Sequence, residues 1–211
     1  MLIFKRLKAL LLSTVLCLPA TYVAGQTIVV VGDSLSSGYG IAAEQSWVAL
    51  LEDRLESEGY GYQVVNASIA GDTSSGGLVR LPRLLDAHNP ELVVIELGGN
   101  DGLRGQPIPL LRDNLTRMIE LARNSGAKVA LAAVEIPPNY GGTYTRSLAA
   151  VYPTLAQDLG VTLVDLALAE VALKPELMQG DRIHPNAEGQ KVVFASVWRS
   201  LGPLLANRDA G

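Results

Sequence analysis

Five short apolar runs, separated by segments of helical spacing, constrain this chain more than any other feature. They are Ile28 to Val31, Gln63 to Asn66, Leu92 to Leu97, Val129 to Val134 and Thr162 to Val164. Alternation of such runs with helical segments predicts an α/β fold built on a parallel sheet with crossover helices. Glu44 to Glu58 places Trp47, Leu50, Leu51 and Leu55 at helical spacing, and Pro109 to Asn124 does the same with Leu111, Leu115, Met118, Ile119 and Ala122. Both read as helices packed on the sheet, with Trp47 in the core. Thr73 to Asn89 is helical in tendency, but Gly76, Gly77 and Pro82 predict a break or kink there. Ile136 to Gly142 reads as a loop, Tyr144 to Leu159 as a helix interrupted by Pro153, and Asn186 to Leu201 as a terminal helix.

The first 25 residues stand apart. Lys5, Arg6 and Lys8 precede an apolar stretch from Ala9 to Leu18, and Pro19 and Val23-Ala24-Gly25 follow. This is the pattern of a secretory signal peptide, too short in its apolar core to span a bilayer comfortably. Cleavage after Gly25 is expected, with Ala20 and Ala24 as other candidate bonds. Cys17, the one cysteine, lies in this segment, and Leu16 before it is too large for the usual lipoprotein processing site. The expectation is an exported protein, periplasmic or secreted, without disulfides or a lipid anchor. Residues 26–211 then form a single domain whose 14 basic and 21 acidic side chains leave a net charge of −7. That surface argues against nucleic acid and anionic membranes as partners.

Gly32-Asp33-Ser34-Leu35 follows at once on the first apolar run, so a serine is presented at the carboxyl end of a strand, where open α/β sheets keep their sites. A serine hydroxyl needs an adjacent base, itself oriented by a third group. Near the far end of the chain, Asp181-Arg182-Ile183-His184-Pro185-Asn186 offers one of two histidines with a carboxylate three residues before it. Two further strand ends offer oxyanion donors: Gly71, whose backbone N–H no side chain blocks, and Asn100 in Gly98-Gly99-Asn100-Asp101. Each motif also has a plain structural reading. Asp33 or Ser34 could cap a backbone N–H, His184 could be a surface residue before a proline, and Gly71 and Asn100 could serve tight turns. Asp33, Asp72 and Asp101 read as capping and supporting carboxylates, and His88 as a residue near a helix end.

The four blocks, Gly32 to Gly40, Asn66 to Ser74, Gly98 to Asp101 and Asp181 to Asn186, come in an order that resembles the SGNH (GDSL) hydrolases, in particular their exported lysophospholipase, thioesterase and arylesterase group. The resemblance implies a flavodoxin-like three-layer α/β/α sandwich with a five-stranded, mostly parallel sheet. It implies Ser34 as nucleophile, His184 as base and Asp181 as its partner, with an oxyanion hole from the Ser34 N–H, the Gly71 N–H and the Asn100 side chain. It also places Ile136 to Gly141 beside the acyl groove, with Asn139 and Tyr140 as candidate substrate contacts. The implied activity is hydrolysis of carboxylic esters and thioesters, including aryl esters, acyl thioesters and lysophospholipids, through an acyl-enzyme. The site is distinct from the G-x-S-x-G elbow, because Ser36 stands where that motif needs glycine.

Two other readings compete. One keeps the chemistry on acetylated carbohydrate, although few aromatic residues are available to stack on sugars. The other is a flavodoxin-like module that binds phosphate or nucleotide at the strand ends, but the first loop lacks both G-x-G-x-x-G spacing and a Gly-Lys-Ser/Thr ending. No cofactor and no metal is expected, since the two histidines sit in unrelated contexts. The expected partner is a small acyl ester or thioester, bound by a monomer. Gly76-Gly77 and Gly141-Gly142 are expected to let two groove loops adjust to acyl length.

Overall fold

The computed structural model describes residues 26–205, so the segment read as an export signal, with Cys17, lies outside the described residues. The five apolar runs form five strands: β1 (Gln26–Gly32), β2 (Tyr62–Asn66), β3 (Leu92–Glu96), β4 (Lys128–Ala133) and β5 (Thr162–Asp165). Every pairing is parallel, and the order across the sheet is β2-β1-β3-β4-β5. The chain therefore reverses its direction of travel between β1 and β3, and the carboxyl ends of those two strands open a crevice.

Alternate residues of each central strand face opposite layers. Val29 and Val31 of β1 pack with Val93 and Ile95 of β3 against α3 (Ser74–His88), α5 (Ile108–Asn124) and α6 (Gly142–Leu159). Ile28, Val30, Leu92 and Val94 face α2 (Trp47–Ser57) and α8 (Ala187–Leu201) on the other side. Both faces of β1 and β3 are thus covered, which is why these strands read as continuous apolar runs rather than alternating ones. Trp47, Leu51 and Leu55 are fully buried under α2, each contributing about 1.5–3 kcal/mol of transfer free energy. The outcome is the three-layer α/β/α sandwich that the resemblance implies.

The break expected in α3 does not occur. The helix runs unbroken through Gly76, Gly77 and Pro82. Pro82 forfeits a single helical hydrogen bond, and Gly77 is no hinge, because the space its side chain would take is filled by Leu97 with Met118 beside it. Gly76-Gly77 therefore does not supply an adjustable loop. Three short helices that the periodicity does not reveal carry the crevice: α1 (Ser34–Ser37) after β1, α4 (Gly99–Leu103) after β3 and α7 (Leu168–Ala172) after β5.

Candidate active site

Ser34 opens α1 directly at the end of β1. Asp33 is the N-cap, its Oδ1 accepting the Leu35 N–H at 3.1 Å, so the capping role expected of this carboxylate is observed. The tight turn presses on what lies behind it: a Cβ on Gly32 would stand 2.7 Å from Glu96 Oε2. Glycine is required there for space, and the approach lets Glu96 Oε2 accept the Asp33 N–H at 3.2 Å and the Ser36 hydroxyl at 2.7 Å.

The other end of the chain reaches the same point through a hairpin. Met178 bridges Pro185, the Gln179 N–H donates to His184 O at 2.8 Å, and the Arg182 N–H returns to Gln179 O at 3.0 Å. Asp181 Oδ1 accepts the N–H groups of Ile183 and His184, while its Oδ2 lies 2.6 Å from His184 Nδ1. His184 Nε2 is 2.8 Å from Ser34 Oγ. An ionised carboxylate can only accept, so Nδ1 carries a proton and Nε2 faces the serine hydroxyl as acceptor in the uncharged ring. Burial pushes the Asp181 carboxyl up, but the hydrogen bonds from the His184 ring and the two backbone N–H groups outweigh it and bring the pKa down to about 2. The Tyr39 ring backs the imidazole, with centroids 4.9 Å apart.

Gly71 and Asn100 both join Ser34 in the wall of the crevice. Gly71 sits at φ +81°, a left-handed backbone that glycine adopts without penalty, and its N–H has no acceptor among the described residues. Arg104 donates to Gly71 O at 2.9 Å, and Arg80 ties the same loop to the sheet through Asp72 Oδ2 at 2.8 Å and the carbonyls of Ala67 and Gly32. Asn100 Nδ2 donates one hydrogen to Asp33 Oδ2 at 2.9 Å, leaving its second free for the crevice. Asp101 turns the other way and accepts from Ser74 N–H and Oγ. Asp72 and Asp101 thus support the framework, as their position in the sequence suggests.

The crevice encloses about 670 Å³. Its walls include Leu103, Val134, Ile136, Leu168, Val171 and Met178, so an apolar chain can lie beside the polar cluster. Pro137 and Pro138 of the predicted groove loop take part, but Asn139 and Tyr140 do not. The loop turns there as a 3-10 turn, Pro138–Tyr140, with all three residues exposed. His88 lies in the last turn of α3, away from the crevice, as its sequence context indicates.

Two residues in this region were not singled out by motif. Glu96 is fully buried and stands alone as a charged residue within Leu92 to Leu97, a signal legible in retrospect. Burial, and secondarily the charge of Asp33, pushes its carboxyl well above the ordinary range; burial likewise raises Asp33 to about 6. Arg182, between the two polar residues of the hairpin, lines the crevice at φ +57°. No sequence signal marks that backbone.

Comparison with known proteins agrees with this fold. The chain is 49% identical to esterase TesA of Pseudomonas aeruginosa over 201 residues, covering 94% of this chain and all of that one. It is 42% identical to thioesterase 1/protease 1/lysophospholipase L1 of Escherichia coli K12, covering 89% and 88% of the two chains. Among solved structures, the esterase EstA from Pseudoalteromonas sp., inhibited by monoethylphosphonate, superposes with a TM-score of 0.81 at 37% identity over 85% of this chain and 98% of its own. Residues 30–192 match the family described as GDSL-like Lipase/Acylhydrolase, and with a serine, a histidine and four sequence blocks meeting in one crevice, the chain belongs to that family of hydrolases.

Proposed function

We propose that the crevice hydrolyses carboxylic esters and thioesters through an acyl-enzyme on Ser34, with aryl esters, acyl thioesters and lysophospholipids as its substrate classes. The observation that carries this reading is the unbroken line from Ser34 Oγ through His184 to Asp181, at 2.8 Å and 2.6 Å, opening into an apolar cavity.

In the first step the Ser34 hydroxyl gives its proton to His184 Nε2 as Oγ bonds to the acyl carbon. The ring becomes a cation held between Ser34 and the Asp181 carboxylate. The carbonyl oxygen takes the negative charge and is met by the N–H groups of Ser34 and Gly71 and by the free hydrogen of Asn100 Nδ2, each worth about 10²- to 10³-fold in rate. Collapse expels the alkoxide or thiolate, which takes the proton from His184. Water then gives a proton to the same nitrogen as it attacks the acyl-serine, and Ser34 regains its own when the acid leaves. The apolar wall favours an acyl chain over a sugar, which sets the carbohydrate esterase reading second. The first 25 residues are proposed to direct export, the mature chain beginning near Gln26.

Replacement of Ser34 by alanine in the mature enzyme is expected to lower kcat on a nitrophenyl ester by at least about 10³-fold without changing the melting temperature. A phosphonate ester should label Ser34, read by peptide mass. Undiminished turnover in the alanine variant would overturn the mechanism. N-terminal sequencing of the protein recovered outside the cytoplasm tests the export segment, an intact Met1 in that fraction counting against it.

A further inference from the structure

Outside the groups used above, the charged residues lining the crevice are Arg182 and Glu135. Arg182 is the more constrained. It closes the hairpin at φ +57°, a left-handed position that such loops ordinarily give to glycine or asparagine. The hairpin enforces this backbone, because the bonds that shape it also set His184 and Asp181: Arg182 N–H to Gln179 O, and Asp181 Oδ1 with the N–H groups of Ile183 and His184. Glycine would meet the requirement without strain, yet a long cationic side chain stands there. Its guanidinium has no hydrogen-bond or ion-pair partner among the described residues, and Glu135 does not pair with it. A residue with a left-handed backbone and an unpaired, solvent-exposed side chain in the lining of a reaction cavity is the kind of outlier from which function is inferred.

We propose that Arg182 is a subsite for a phosphate on the leaving group, so that the crevice takes single-chain glycerophospholipids with the headgroup phosphate on this guanidinium. The proposal rests on the reading of Ser34 as the acylated serine and adds the residue that selects one of the substrate classes named there. The departing oxygen must stay beside His184, which protonates it, and Arg182 stands in the same hairpin, two positions before that histidine in sequence. A glycerol headgroup carries its phosphate a few bonds from the scissile ester, within reach of an arginine side chain, and the planar guanidinium matches phosphate oxygens two at a time. Coenzyme A carries its phosphates at the far end of a long arm.

The test compares the mature enzyme with Arg182→Gly and Arg182→Lys on monomeric lysophosphatidylcholine, on monoacylglycerol of the same acyl length and on the matching acyl-CoA, with melting curves beside them. Arg182→Gly is expected to lower kcat/KM for the lysophospholipid roughly 5- to 10-fold, the size of a solvent-exposed charge-assisted contact, while monoacylglycerol stays within about twofold. The variant should melt no lower than the parent, since the backbone strain is relieved, and lysine should recover part of the loss. Salt should erode the parent's preference for the phosphate-bearing substrate. A loss confined to the lysophospholipid assigns the site to the headgroup, and an equal loss on acyl-CoA assigns it to phosphate from either source. Equal losses on lysophospholipid and monoacylglycerol, or no loss on either, overturn the proposal. Ser34→Ala in the same panel separates the two readings: activity surviving in that variant removes the acyl-serine, whereas the Arg182 comparison is made between substrates and stands on its own.

Discussion

The floor and the lip of the crevice are built by opposite means. The floor, at the ends of β1 and β3, is part of the core: Asp33 is 2% exposed and Glu96 fully buried, and Asn100 is held from Asp33. The lip is a surface hairpin in which the Asp181 side chain is 37% exposed and the geometry comes from bonds within a few residues of sequence, braced by Gln179 against Tyr39 O and by Asn186 against Glu176 O and Met178 O. Electrostatics divide the same way. Burial raises the carboxyls of the floor, whereas hydrogen bonds draw Asp181 down to about 2 against the opposing effect of its burial. The proposed oxyanion side is therefore preorganised by folding itself, and the proposed base side is assembled locally. Damage to the lip should cost activity without stability, and damage to the floor should cost both.

The lip offers the largest effect. Asp181→Asn keeps the side-chain volume but can present an amide hydrogen to His184 Nδ1, which favours the wrong tautomer and leaves no acceptor nitrogen facing Ser34. We expect kcat on a nitrophenyl ester to fall by about 10³- to 10⁴-fold, with a melting temperature near that of the parent at neutral pH. A matching fall in thermal stability would erase the contrast between lip and floor. Asp181 does contribute to stability, and acid removes that contribution. Its folded pKa lies below its ordinary 3.8, so its contribution is present above 3.8 and lost as pH falls through about 2. Exposure of the side chain keeps that contribution small.

The floor comes next. Glu96→Ala removes the acceptor of the buried Asp33 N–H and Ser36 hydroxyl and leaves a void behind the nucleophile turn, so a loss of about 2–4 kcal/mol is expected in denaturant unfolding, together with reduced kcat. Glu96→Gln keeps the shape and cannot ionise. The Glu96 carboxyl is raised above its ordinary 4.5, so the folded state keeps a proton that the unfolded chain releases, and stability falls as pH rises from 4.5 through the folded value. Asp33 adds a fall of the same sign between 3.8 and about 6. Melting temperature should therefore decline less steeply in Glu96→Gln than in the parent as pH rises above 4.5. Equal slopes would show that Glu96 does not hold its proton.

The same contrast governs what a reader of the sequence could see. The strands of the sheet were legible because β1 and β3 are covered on both faces and so carry uninterrupted apolar runs. Ser34, Gly71 and Asn100 were legible as blocks at strand ends, and Asp181 and His184 as a short block near the far end of the chain. The unbroken course of α3 was not, because local propensity at Gly76, Gly77 and Pro82 is overridden by Leu97 and Met118 filling the space at Gly77. Asn139 and Tyr140 were legible only as parts of a loop beside the crevice, because which residues of the 3-10 turn after Pro137 line the wall is a choice no composition reveals. Glu96 could have been found as the lone charge in a buried strand. Arg182 could not, since its importance lies in a backbone angle set by hydrogen bonds across the hairpin.

The smallest effect sharpens the comparison most, because it falls on Gly71, the proposed oxyanion donor that belongs to neither half. Gly71 is exposed on the loop after β2, and a Cβ there would meet nothing within 4 Å, so space does not demand glycine. Its φ of +81° does. Gly71→Ala should therefore cost about 1 kcal/mol of stability through backbone strain alone, with no clash to relieve. If Arg80, Arg104 and Asp72 hold the loop as firmly as the core holds Asn100, the strained backbone will stay in place, the N–H will keep its aim and kcat will fall by less than about tenfold. A fall of 10²-fold or more, the full value of a lost donor, would show that the loop yields instead, and that preorganisation in this crevice ends where burial ends.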